Sequence, residues 1–122
     1  MSDTATTTSV YAPDDLVWHR NDMGREFWLS EVLVGGDYTS AYNAQLSRFG
    51  PGGGSPSHDH PYNHVFFFLS GTARVQMGGR SWLAGPGTFV KVPAHQRHSV
   101  TNTGLDDVTF LVIYDPPSPD VG

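Results

Sequence analysis

Apolar residues in this chain come in short runs broken by glycine, proline and small polar residues. No stretch carries a sustained helical period. Residues 27–34 are mostly apolar and stop at Gly35-Gly36-Asp37. Residues 39–49 mix small polar and apolar side chains and stop at the run from Gly50 to Pro56. Residues 65–69 (Val-Phe-Phe-Phe-Leu) end at Ser70-Gly71, and residues 72–77 lead into the Gly78-Gly79 hairpin signal. Residues 80–84, 88–92, 98–102 and 108–114 follow, each closed by Gly, Pro or Thr-Gly. Residues 14–19 suit one helical turn or a short strand. This spacing predicts an all-β sandwich or barrel.

Composition agrees. The 122 residues make one domain with room for a real core, and 14 glycines and 9 prolines suit short strands and tight turns. The net charge of −5, with no basic run, argues against nucleic acid or an anionic membrane as partner. No apolar run is long enough to span a bilayer as a helix. Cysteine is absent, so disulfides, thiolate ligands and thiol nucleophiles are excluded, and a cytoplasmic location is expected. Residues 1–10 lack the basic and apolar regions of a signal peptide and are expected to be a disordered lead. Residues 11–115 are expected to form the barrel. Residues 116–122, with three prolines, are expected to be a loose tail.

Four of the six histidines carry the chemistry. They read His58-x-His60-x3-His64, with His98 on a later segment. Neutral imidazole binds zinc, iron, copper and nickel. Two histidines two apart on a strand share a face, and one each from the next strand and a distant strand can complete a site.

These residues resemble the two motifs of the cupin family. The first, Gly-x5-His-x-His-x3-Glu-x6-Gly, is matched at Gly52, His58, His60, the position of His64, and Gly71. The second, Gly-x5-Pro-x-Gly-x2-His-x3-Asn, is matched at Gly87, Pro93, His98 and Asn102. The resemblance implies a single jelly-roll-like β-barrel with one divalent metal in its mouth. Two positions depart from it. His95 replaces a glycine, and His64 stands where the family has glutamate. Three imidazoles and a carboxylate give a metal one unit of ligand charge; four imidazoles give none and leave a stronger Lewis acid. A four-histidine set is similar to that of cupin cyclases of aromatic polyketide biosynthesis. The fold itself hosts many reactions.

The expected metal ligands are therefore His58, His60, His64 and His98, with His64 alternatively a pocket histidine at the glutamate position. Zinc is the first choice of metal; iron, nickel, manganese and copper remain possible. If His64 points inward, Phe66 and Phe68 follow it by parity and line a pocket for a planar apolar substrate. On the preceding strand one parity turns Asn43, Gln45 and Ser47 inward, and the other turns Tyr42 and Arg48 inward. Asn43 and Gln45 are taken as pocket candidates. Tyr62 and His95 are candidates for moving a proton. Arg74 and Gln76 continue the His64 face only if the turn at Gly71 keeps the register. His19 receives no role.

Three function classes fit. The first is a metal-dependent enzyme on a small carbonyl or enol compound, acting by cyclisation, isomerisation or lyase chemistry through an enolate. The second is an Fe(II)-dependent dioxygenase. The third is a non-catalytic module that binds a small ligand. The resemblance implies a homodimer, and Trp18, Phe27, Trp28 and Leu29 are expected to offer apolar surface for it.

Overall fold

In this computed structural model residues 8–118 are described. They form a single 3-10 turn at Pro13–Asp15 and nine strands: β1 (Trp18–Arg20), β2 (Arg25–Ser30), β3 (Asn43–Gly54), β4 (Asn63–Ser70), β5 (Ala73–Met77), β6 (Arg80–Ala84), β7 (Phe89–Val92), β8 (His98–Asn102) and β9 (Val108–Asp115). The segment 14–19, open in the sequence, thus divides between the helical turn and β1. The lead up to residue 7 and the tail from residue 119 lie outside the described residues. Ser118, in the segment expected to be loose, is 4% exposed, and its N–H donates to Asn43 Oδ1 at 3.0 Å.

The strands neighbour one another in the order β6-β5-β8-β3-β9-β4-β7, all antiparallel. β2 lies along β3 and β1 along β2. The sheet curls into a nearly closed jelly-roll-like barrel, the all-β fold the residue pattern predicts. Among the described residues no helix is long and apolar enough to cross a membrane.

Alternation builds the core. On β4 the side chains of His64, Phe66 and Phe68 are buried, whereas Val65 and Phe67 are half-buried and Leu69 is exposed. Phe68 stacks on Phe110 with ring centroids 4.8 Å apart. On β3, Gln45, Ser47 and Phe49 face inward, which settles the open parity. Arg48 faces out, its guanidinium 4.3 Å from the Trp18 ring centroid.

Three expectations change. The run after Gly50 is not a turn: β3 continues to Gly54. Glycine permits this because a Cβ on Gly53 or Gly54 would lie 2.6 Å from the carbonyl oxygen of Arg25 or Val100. The turn at Gly71 (φ 79°) resets the register, so Ala73 and Val75 are buried while Arg74 and Gln76 are exposed. Phe27 and Leu29 are core residues, 6% and 7% exposed, and offer no surface to a second copy. Trp18 and Trp28 point the other way and are capped by Arg48 and Arg20.

Phe68 is completely buried at the centre of this packing. Phe68→Ala should cost about 3–5 kcal/mol, read as a lowered urea midpoint at unchanged m-value. A loss below 1 kcal/mol would show that the barrel floor is not packed as described.

Candidate metal centre

His58 and His98 are joined first by backbone. Each donates its N–H to the other's carbonyl, at 3.0 and 2.9 Å, in a bridge at the first residue of β8. Their ring centroids lie 4.4 Å apart. The sequence reading put His58 and His60 on a regular strand. Instead this bridge and the loop leading to β4 place them. The His60 carbonyl accepts the N–H of His95 at 2.7 Å, tying that loop to the one entering β8.

One possible ligand atom from each of His58, His60 and His98 falls within 4.8 Å of the others. Their second ring atoms are engaged. His58 Nδ1 lies 2.6 Å from the Pro56 carbonyl, and His98 Nδ1 lies 2.9 Å from the Gln96 carbonyl. A carbonyl only accepts, so each Nδ1 carries the proton and each Nε2 keeps its lone pair. His60 Nδ1 lies 3.1 Å from the Tyr62 hydroxyl, and the two rings stack at 16°. The three histidines fit a divalent cation: their rings converge and are oriented by partners. The donor set does not choose among zinc, iron, nickel, manganese and copper.

His64, on β4, stands beside this triad. Its ring is 4.7 Å from that of His60 and 5.4 Å from that of His98, but it falls outside the compact ligand cluster. Its Nδ1 is buried with no hydrogen-bond partner among the described residues. The four-histidine set is thus three anchored rings and one unanchored ring.

Burial lowers the pKa of His64 from 6.5 to about 3, helped by the neighbouring charges of His60, His98 and His58. Burial likewise lowers His98 to about 4, opposed by its bond to the Gln96 carbonyl. Both rings are therefore neutral near pH 7 and need shed no proton to receive a cation. Burial, with Tyr62 nearby, raises Tyr114, so its hydroxyl keeps its proton and donates to Gln45 Oε1 at 2.9 Å.

The triad opens into a cavity of about 480 Å³. Tyr62, Gln45 and Phe66 line it, together with Leu29, Phe49, Phe110 and Tyr114. Other candidates lie elsewhere. Asn43 spends its side-chain oxygen on Ser118 and is not in the wall. Phe68 lies one layer deeper, in the solid core. His95 is exposed and away from the cavity; with φ 68° it adopts the conformation that the motif's glycine would supply. Sequence reasoning missed His19, Arg20 and Met23, which reach the cavity from β1 and the turn after it. No motif marks them, because they meet the cavity only once β1 folds along β2.

Two outcomes follow. Tyr62→Phe keeps the stacked ring but removes the partner of His60 Nδ1, so zinc affinity measured by competitive chelation should fall about tenfold. An unchanged affinity would free Tyr62 from that role. In the metal-free protein, both lowered pKa values mean that the unfolded chain takes up protons first as pH falls. Stability should be full above about pH 6.5 and decline toward pH 4, with a smaller decline in His64→Phe. Urea midpoints that stay flat from pH 7.5 to 4.5 would contradict this.

The structure of polyketide cyclase RemF from Streptomyces resistomycificus is similar, with a TM-score of 0.80 at 20% identity, covering 93% of this chain and 82% of that one. KdgF from Halomonas sp. aligns with a TM-score of 0.79 at 18% identity, covering 92% of this chain and 98% of that one. A predicted oxalate decarboxylase from Thermotoga maritima gives 0.78 at 18% identity, covering 88% and 98%. At these identities the likeness shows the fold. No curated protein sequence matches significantly. Residues 45–114 match the Cupin_2 family, described as a cupin domain, and that span holds β3 to β9 and all four motif histidines. The chain belongs to the cupin family.

Proposed function

We propose that this protein is a metal-dependent enzyme acting on a small, flat carbonyl or enol compound, by cyclisation, isomerisation or lyase chemistry through an enolate. One observation carries the reading: a carboxylate-free group of histidines at the wall of an aromatic-lined cavity of about 480 Å³. The volume suits a small organic molecule. His58, His60 and His98 would hold a divalent cation, with His64 available as a fourth donor, and that cation would supply Lewis acidity.

The chain's own residues divide the remaining work. Phe49, Phe66 and Phe110 hold a flat body and keep water from its faces. The carbonyls of Pro56 and Gln96 keep the Nδ1 protons of His58 and His98 in place. With the proton of His60 on Nδ1, the Tyr62 hydroxyl accepts that bond, and its own phenolic proton is left to be donated. Tyr62 is buried at the cavity wall, so that proton is offered to a ligand. Supporting the cyclase version is the fold likeness to a polyketide cyclase, which by itself carries no substrate.

The missing carboxylate is the part most open to test. In His64→Glu, with zinc content matched by elemental analysis, deuterium exchange at the methylene of a simple 1,3-diketone should slow at least about tenfold. Equal exchange rates would remove the charge argument. Exchange that requires iron and dioxygen would move the reading to a dioxygenase.

A further inference from the structure

The cavity wall is not uniformly apolar. On β3, Gln45 and Ser47 sit two residues apart, both facing inward, and both line the cavity. Gln45 is 0% and Ser47 2% exposed, so of the two only Ser47 offers surface to a ligand. Gln45 Nε2 donates to the Ser30 carbonyl at 2.8 Å, which fixes the orientation of the amide because a carbonyl only accepts. Its Oε1 then takes the Tyr114 proton. One Gln45 N–H is left over, since a primary amide carries two. The Ser47 hydroxyl has no hydrogen bond among the described residues. Its neighbours across the sheet are Leu29 on β2 and Phe110 on β9.

A hydroxyl with no protein partner is met only by what the cavity holds. Here it is built into a rigid place. Ser30 Oγ accepts the N–H of Leu46 at 2.9 Å, between the two residues, so the strip cannot turn away without breaking the β2–β3 junction.

We propose that the polar strip of Gln45 and Ser47 recognises, through the Ser47 hydroxyl, an oxygen substituent on an otherwise apolar, flat ligand, at the part of the cavity away from His64. This rests on the reading of the cavity as the ligand site. Ser47 pairs with Phe110, and His64 with Tyr114 on the same strand, four residues further along. That separation is about 13 Å along β9. A ligand spanning both ends carries one oxygen near the histidines and a second, hydroxyl or carbonyl, against Ser47, with an aromatic body between. An unsubstituted hydrocarbon leaves the strip unmet.

The test compares 2-naphthol with naphthalene, titrated against the full chain by intrinsic fluorescence, in zinc-loaded and metal-free protein. The wild type should bind 2-naphthol about five- to tenfold more tightly in both forms. Ser47→Ala should remove that preference and leave naphthalene binding unchanged, and Ser47→Thr, which restores a hydroxyl, should recover it. A preference that survives Ser47→Ala overturns the proposal, as does a wild type that does not discriminate. A preference that disappears with the metal and ignores Ser47→Ala overturns the strip while leaving the metal-dependent reading intact.

Discussion

The inner wall that carries His64 depends on the pairing of β4 with β9. His64 lies opposite Tyr114, Phe66 opposite Val112 and Phe68 opposite Phe110, all on the inner face. Because side chains alternate, a slip of one residue would turn His64 and both phenylalanines outward and bring Val65, Phe67 and Leu69 in. Phe68, stacked on Phe110 and wholly buried, makes that slip expensive. The apolar floor of the barrel therefore fixes the depth and direction of a histidine four residues away. Packing and chemistry share one ladder, as do Phe49, Ser47 and Gln45 on β3.

The triad solves a different problem, that of orienting three imidazoles before any cation arrives. An unrestrained imidazole divides its time between tautomers and rotamers. Here two backbone carbonyls and one phenol hold the Nδ1 atoms of His58, His98 and His60. The reciprocal backbone pair between His58 and His98 does at the loop what strand pairing does elsewhere. His64 follows another logic. It is placed by the ladder and kept neutral by burial, but no partner holds its ring nitrogen.

Much of this was legible in the sequence because it rests on local signals. Turn residues marked most strand ends, and two-residue parity placed His64 and Phe66 correctly inside. The failures share a cause: each depended on a partner distant in sequence. The glycines of residues 50–54 read as a turn, yet they are strand positions made thin so that β2 and β8 can approach. Asn43 has the right parity but is taken up by Ser118. Phe68 also has the right parity, and lies too deep because the cavity ends at Phe66 and Phe110. His95 is near the site in sequence, and its backbone alone serves it. The contribution of β1 carried no local signal at all.

The electrostatics of the site explain why a set of neutral donors is workable here. A glutamate at position 64 would bury a charge among imidazole and aromatic rings, and an unpaired buried carboxylate is costly or takes up a proton. Imidazole avoids that: with its pKa lowered to about 3, His64 is uncharged near neutral pH. The metal-free barrel can thus keep its shape without a counter-ion. The cost would move to a metal-loaded state, where two positive charges would sit among histidines with no carboxylate in the set. Under the proposed function, a ligand that becomes negative as it reacts would be the group best able to offset them, and in a low-dielectric cavity that attraction would be stronger than in water. The carboxylate-free histidine set and the aromatic lining of the cavity would then act in the same direction, both favouring an anionic intermediate over a neutral one.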